Sequence, residues 1–167
     1  MTPEVQQAQA GINAIIERFG APDASQLTVT VGAELTEGLR MDVDIRKHRI
    51  TVDEPKGMGG TDQGPNPIEL MLAAITTCQA ITYRVWAMKL GIALDSVNVE
   101  ADGDIDLRGF FGVDDDVRPG YAAVRLRVAL HGPESAERYS ELADAVDGHC
   151  PVLDMTGNRV PVTRTLI

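Results

Sequence analysis

No apolar stretch of this chain reaches the roughly 18 residues that a transmembrane helix needs. The N-terminal segment MTPEVQQAQAG is polar and has neither the basic region nor the apolar region of a secretory signal. The sequence thus shows neither a membrane anchor nor an export signal, and we expect a cytoplasmic protein.

Basic residues are scarce. The chain has 15 lysines and arginines against 25 acids, which gives a net charge of −10. Such a surface repels nucleic-acid phosphates and anionic lipid headgroups. We therefore expect no nucleic-acid partner and no membrane partner.

Cysteine is scarce too, with Cys78 and Cys150 the two in the chain. They lie too far apart in sequence for a CxxC motif, and a permanent structural disulfide is not expected in a reducing cytosol. Three interpretations stay open from the residues alone: inert core thiols, a redox pair, or part of a metal site.

The chain has 167 residues, with 44% apolar and 24% charged, as expected for one folded domain of α+β class. We divide that domain into an extra N-terminal helix and connection over 1–26, a β meander over 27–53, and a cysteine-bearing α/β part over 66–167. The periodicities predict helices over 3–19, 66–91 and 133–148, strands over 27–35, 39–45, 48–54, 97–106, 121–130 and 159–167, and a glycine-rich loop over 54–65.

The helix over 66–91 carries Cys78. Asn66 suits its N-cap, Pro67 its first turn, and Glu69 the position of a capping-box acid, while Gly91 ends it. Its first half is apolar on nearly every side, which predicts a buried central helix. Cys78 then faces an apolar interior, where burial raises a thiol pKa, so a reactive Cys78 needs a nearby cation.

Cys150 lies in the sequence Gly-His-Cys-Pro at the end of the second long helix. The structural interpretation is that Cys150 is a packed residue at a helix end. A resolving thiol is the alternative, because helix ends are mobile.

Two motifs resemble the OsmC/Ohr family, in particular its OsmC-like subgroup. GPNPIELMLAAITTCQAITYRVW is similar to the segment that leads to the family's peroxidatic cysteine, and HCPV to its second cysteine motif. The upstream DEPKGMGGTDQGPNP resembles a loop of the subgroup. The resemblance covers about residues 27 to 167.

The resemblance implies an OsmC-like fold and a thiol peroxidase for organic hydroperoxides. Cys78 becomes a sulfenic acid, Cys150 closes a disulfide with it, and a dithiol or thioredoxin-like reductant reopens the pair. No metal or organic cofactor is expected. The alternatives are a non-catalytic module that binds a small apolar ligand, a redox sensor, or an interaction-only dimer with inert thiols.

The family also places a meander arginine against the peroxidatic thiolate, with a glutamate that orients it. Arg40 is the first choice, and Arg46 and Arg49 are alternatives. Glu69 is a candidate for the glutamate, although its capping role explains it equally well. The family forms an intertwined homodimer with interface active sites, and the N-terminal helix could cover a sheet edge, which deletion of residues 1–20 would test.

Other signals favour structural explanations. Asp102, Asp104 and Asp106 alternate along one predicted strand and indicate a solvated face, because a calcium loop would need glycine and glutamate at positions that hold Leu107 and Val113. The three histidines lack the ligand spacing of a zinc site, and the GMGG glycines lack the order of a phosphate loop.

Overall fold

The computed structural model describes residues 3–20 and 25–167. Its contacts divide the chain into one compact unit up to Met71 and a second from Leu72 onward. The elements in chain order are helix α1 (Pro3–Arg18), strands β1 (Val31–Glu37), β2 (Arg40–Ile45) and β3 (His48–Val52), helix α2 (Pro67–Leu90), strand β4 (Ser96–Asp104), helix α3 (Leu107–Phe110), strand β5 (Ala123–His131), and helices α4 (Ala136–Asp147) and α5 (Pro151–Gly157). The α+β class is confirmed, and the single-domain division stays a prediction.

In the first unit, β1, β2 and β3 form an antiparallel meander, as predicted. Glu37 pairs with Arg40, so Gly38 and Leu39 form the first loop. The sequence predicts this turn one residue earlier, at Glu37 and Gly38. The turn is displaced because Glu37 still pairs in the ladder, and Gly38 adopts the positive φ of 58° that tight hairpins need. The second turn, at Arg46 and Lys47, is where the sequence places it.

The loop after β3 is organised around the buried carboxylate of Asp53. This carboxylate accepts hydrogen bonds from the Thr61 hydroxyl at 2.6 Å and from the backbone N–H groups of Glu54, Thr61 and Gln63 at 2.8, 3.0 and 3.2 Å. The bond from the Thr61 hydroxyl does most to lower the pKa of Asp53, and it acts with the backbone bonds against burial. The loop is therefore fixed by one ionised side chain.

Two glycines allow this loop to pack against neighbouring backbone. A Cβ atom on Gly60 would come within 1.9 Å of the Glu54 carbonyl oxygen, and one on Gly64 within 2.2 Å of the Thr51 carbonyl oxygen. Both gaps are too small for any side chain, so glycine is required by close approach.

Helix α2 begins with the predicted capping box. The Asn66 side-chain oxygen accepts from the Glu69 N–H at 2.9 Å, and the Glu69 carboxylate accepts from the Asn66 N–H at 2.8 Å. The helix ends before Gly91, which has a φ of 64°, again as predicted.

In the second unit, β4 and β5 pair as a long antiparallel hairpin. Arg125 forms an ion pair with Asp104, and Arg127 forms ion pairs with Asp102 and Glu100, all with exposed side chains. The solvated acidic strand face is thus confirmed for Glu100, Asp102 and Asp104, which are paired across the hairpin, whereas Asp106 lies beyond β4 and caps the next helix.

The core of the second unit lies between α2 and α4. Leu142 and Val146 of α4 are fully buried, and the Tyr139 hydroxyl donates to the Ala93 carbonyl oxygen at 3.0 Å. The buried cluster consists of Tyr83, Ala87, Ile92, Leu94, Leu142 and Val146. The predicted apolar face of α4 is confirmed, and it fixes the end of the helix that leads to Cys150.

Burial of the central helix differs from the prediction. In the single chain α2 buries one face, whereas Ala73, Ala74, Thr77 and Ile81 are exposed, with Ile81 at 65%. An apolar sequence around a whole helix requires neighbours on every side, and this face has none in the chain that the structure describes.

The last predicted strand is also wrong. Residues 151–157 form α5, and residues 158–167 adopt no regular structure. Val162, Leu166 and Ile167 are largely exposed, and this segment pairs with none of the five strands that the structure describes. The loop over 107–120 likewise contains a short helix, α3, capped by Asp106.

Candidate functional site

Cys78 and Cys150 are brought together. Cys150 is the N-cap residue of α5, held by a bond from its N–H to the Val146 carbonyl oxygen at 2.9 Å. Its sulfur lies 3.5 Å from that of Cys78 on α2. Both thiols are free. Because a disulfide needs about 2.05 Å between sulfurs, the pair can close through a movement of about 1.5 Å.

The two thiols differ in access. Cys150 is 1% exposed, whereas Cys78 is partly exposed. Within the described chain Cys78 is therefore the more accessible of the two cysteines. This asymmetry suits an attacking thiol and a resolving thiol.

The surroundings of Cys78 set its acidity. Burial raises the pKa of the Cys78 thiol above its ordinary value, and the neighbouring Cys150 raises it further. Hydrogen bonds from the Val152 backbone N–H and from the Thr82 hydroxyl lower the same pKa. Because the raising effects win, the groups around Cys78 do not by themselves make a strong thiolate, and the need for a cation stands.

Thr82 and Val152 are functional candidates that the sequence analysis missed. Thr82 is four residues after Cys78, a spacing that places both on one face of α2. Val152 follows Pro151, which has no N–H and suits the first turn of a helix, so Val152 presents the first available backbone donor of α5. The Cys-Pro-Val sequence was a usable signal for α5.

Next to the pair lies an aromatic contact. The Trp86 ring packs on the His149 ring with centroids 4.0 Å apart, and the Lys89 ammonium lies 3.7 Å from the Trp86 ring centre. The Nδ1 atom of His149 is 2.7 Å from the Ala145 carbonyl oxygen. These contacts anchor the residue that precedes Cys150.

Arg40 lies at the start of β2, in the first unit. Its guanidinium donates to the Glu37 carboxylate at 3.2 Å and to the Gln63 side-chain oxygen at 3.3 Å. The alternatives differ: Arg46 occupies the second turn with a φ of 55°, and Arg49 is exposed and pairs with the carboxylates of β2. Of the three, Arg40 has the least exposed and most fixed side chain.

Glu69 performs its capping role at the start of α2. Within residues 3–20 and 25–167, Arg40 forms an ion pair with Glu37, and it forms none with Glu69. The capping function is therefore observed, and the catalytic role of Glu69 stays a prediction.

Gln79, beside Cys78 in sequence, is 1% exposed, and its side-chain NH₂ has no hydrogen-bond partner within the described residues.

Across the same part of the chain, no group of three or more histidine, cysteine or acidic side chains is placed to hold a metal ion. None of the helices described there is long and apolar enough to cross a membrane.

A family comparison matches this arrangement. Residues 60–165 match the model of the OsmC-like proteins, and this range contains both cysteines and all of α2. It covers more than half of the sequence. The chain therefore belongs to the OsmC-like family.

Solved structures agree on the fold. An OsmC-like protein from Mycoplasma pneumoniae is 21% identical, with a TM-score of 0.70 over 80% of this chain and 90% of that one. An organic hydroperoxide resistance protein from Elizabethkingia anophelis, with thiocyanate bound, is 22% identical, with a TM-score of 0.62 over 81% and 91%. An organic hydroperoxide resistance protein OsmC from Legionella pneumophila is 20% identical, with a TM-score of 0.61 over 80% and 93%. No curated protein sequence matches this chain.

Proposed function

We propose that this protein is a two-cysteine hydroperoxide reductase. The Cys78 thiolate attacks one oxygen of an organic hydroperoxide, the O–O bond breaks, and the other oxygen leaves as an alcohol after taking a proton. Cys78 is then a sulfenic acid. The Cys150 sulfur attacks it, the S–O bond breaks, and water leaves as the disulfide forms. A dithiol or thioredoxin-like reductant returns two electrons and two protons.

The 3.5 Å separation of the two sulfur atoms carries this proposal. Two thiols placed by chance on separate elements would seldom lie so close with one partly exposed and one buried. Membership of the OsmC-like family supports the same chemistry, because solved relatives of the same fold are named for organic hydroperoxide resistance. The cycle suits the reducing cytoplasm, where a reductant for the disulfide is present.

The cation is assigned to Arg40. The raised pKa of Cys78 means that the thiolate needs further stabilisation, which a guanidinium provides well. Arg40 is fixed by Glu37 and Gln63, so its charge is pre-oriented. Glu69 is retained as a secondary candidate for this network.

A homodimer is part of the proposal. The exposed face of α2, with Ile81 at 65% exposure in mid-helix, supports coverage by a second copy. In light scattering, Ile81→Glu should shift the mass from dimer to monomer. Phe111→Glu, a control at another exposed apolar residue, should leave it unchanged. A monomeric parent protein would contradict this part.

The central test uses reduced protein and cumene hydroperoxide, followed by intact mass. The parent should lose two hydrogen atoms and both free thiols. Cys150→Ser should stop at a Cys78 sulfenic acid, and Cys78→Ser should not react. No reaction at a large excess of peroxide would contradict the peroxidase and favour a non-catalytic ligand-binding module. Reaction with hydrogen peroxide at equal rate would contradict the preference for organic peroxides.

The arginine assignment needs its own comparison. Arg40→Ala should slow the single-turnover oxidation of Cys78 at pH 7 by at least tenfold, since a neighbouring positive charge shifts a thiol pKa by about one unit or more. Arg49→Ala is the matched control, because Arg49 is an exposed arginine of the same sheet. Equal effects of both variants would remove Arg40 from the site.

A further inference from the structure

Thr82 has an unusual position for a helical threonine. Its hydroxyl donates to the Cys78 carbonyl oxygen at 2.8 Å, and the residue is 7% exposed. It follows Cys78 by one helical turn, so its side chain lies over the same turn as the thiol. A hydroxyl has one proton to donate. Here the carbonyl oxygen accepts it, and the Cys78 sulfur is the second acceptor, since a hydrogen bond from Thr82 lowers the pKa of the thiol.

A bond back to the preceding turn is by itself ordinary. Thr77 on the same helix donates to the Ala73 carbonyl oxygen at 2.6 Å, and Thr76 donates to the Leu72 carbonyl oxygen at 3.0 Å. Thr77 is exposed, whereas Thr82 is buried. Water can therefore replace the hydrogen bond that Thr77 makes, but the buried Thr82 is shielded from water. The Thr82 hydroxyl proton is therefore shared between protein acceptors only.

We propose that Thr82 is a further catalytic residue of the peroxidase chemistry proposed above, whose hydroxyl donates to the Cys78 carbonyl oxygen in the thiol state and turns to the Cys78 sulfur in the thiolate state. The inference rests on that proposed function for its catalytic meaning. The turn requires a rotation about one side-chain bond and no movement of the backbone.

The direction of the turn follows from charge. A hydrogen bond to an ionised acceptor is roughly twice as strong as one between neutral groups. When the thiol proton leaves to solvent, the charge on the sulfur attracts the hydroxyl proton. When the sulfur bonds to oxygen, the negative charge leaves on the alkoxide, which takes a proton from solvent to become the alcohol, and the Thr82 hydroxyl returns to the carbonyl oxygen. Thr82 gives up no proton in the cycle, so it changes the energy of the thiolate and not the stoichiometry.

The Val152 N–H complements this hydroxyl. It belongs to α5 and is fixed by the helix, whereas the Thr82 hydroxyl belongs to α2 and rotates. Hydrogen bonds from both groups lower the pKa of Cys78, which supports their contact with the sulfur. The site thus has one fixed donor and one switching donor.

The test measures the pH dependence of Cys78 alkylation by iodoacetamide, with the modified peptide quantified by mass. Thr82→Val keeps the shape of the side chain and removes the hydroxyl. It should raise the midpoint of the profile and slow alkylation at pH 7.5 about tenfold, as expected when a hydrogen bond to a charged group is lost. Thr82→Ser retains the hydroxyl and should stay within about twofold of the parent.

Thr77→Val is the matched control, because it removes a back-bonded hydroxyl from the same helix without touching the thiol. Its profile should equal that of the parent. A parental profile for Thr82→Val, or an equal shift for Thr77→Val, would overturn the inference. Thr82→Ser, which is expected to fold normally, excludes misfolding as the cause.

The two proposals fail separately. Alkylation needs no peroxide, so a shifted Thr82→Val profile in a protein inert to cumene hydroperoxide would reject the peroxidase alone. Rapid peroxide reaction of both the parent and Thr82→Val at equal rates would reject the role of Thr82 alone.

Discussion

The ring of Trp86 packs on the ring of His149 at a centroid distance of 4.0 Å, and His149 directly precedes Cys150. Trp86 is the single tryptophan of the sequence. Any displacement of the Cys150 backbone therefore changes the environment of the one indole.

Closure of the Cys78–Cys150 disulfide should alter Trp86 fluorescence, because the sulfurs must approach by about 1.5 Å. The measurement is stopped-flow emission after mixing reduced protein with cumene hydroperoxide. Cys150→Ser should abolish the slower phase, which reports the disulfide. Emission that stays constant while the mass shows a disulfide would mean that α5 does not move.

Removal of the resolving thiol should make Cys78 more acidic. Cys150 raises the pKa of Cys78, so Cys150→Ala should shift the alkylation profile of Cys78 to lower pH. The direction of this shift does not depend on Arg40, because Cys150 raises the Cys78 pKa through its own hydrogen bond and charge. A profile that moves to higher pH in Cys150→Ala would contradict the observed balance of neighbours.

Two substitutions of Glu69 can distinguish its capping role from the catalytic role proposed for it. Glu69→Gln keeps the bond to the Asn66 N–H and loses the charge, while Glu69→Ala loses both. We expect Glu69→Ala to lower the free energy of unfolding by about 1 kcal/mol in urea titrations, and Glu69→Gln by less. A large loss of Cys78 oxidation rate in Glu69→Gln, with stability retained, would show catalysis in addition to capping.

Acid should loosen the loop around Asp53. The folded-state pKa of Asp53 is lowered, so its stabilisation is present above the unfolded value of about 3.9 and is lost as pH falls through the folded value. Asp53→Asn should be less stable than the parent at pH 7. The difference in the free energy of unfolding between the parent and Asp53→Asn should become smaller toward pH 2, as measured by urea titration at each pH. A difference in unfolding free energy that does not change with pH would mean that the Asp53 charge does not stabilise the loop.

Local signals in the sequence predicted most elements. The capping residues of α2, the glycine that ends it, and the alternation of β4 and β5 each depend on neighbours in sequence. The turn after β1 was displaced by one residue, because hairpin register depends on pairing as well as on glycine. The prediction of a strand over 159–167 was wrong because alternation describes only one side of a ladder, and none of the described strands pairs with this segment.

The residues of the candidate site likewise differ in whether local sequence signals could predict them. Residue types and motifs indicated Cys78 and Cys150, but their separation of 3.5 Å is a tertiary fact that no local pattern encodes. Thr82 was within reach of sequence reasoning, at a helical spacing from Cys78. The Val152 N–H was not, because a backbone donor has no residue type, and only the presence of α5 reveals it.

In the proposed cycle, the unequal exposure of the two cysteines also sets the order of bond exchange when the disulfide is reduced. An incoming thiolate must approach in line with the S–S bond, and only the Cys78 end is accessible, since Cys150 is 1% exposed. The transient mixed disulfide is then carried by Cys78, and Cys150 departs as the leaving group. The sulfur that meets the oxidant is thus also the one that meets the reductant, so a single entrance serves both halves of the cycle.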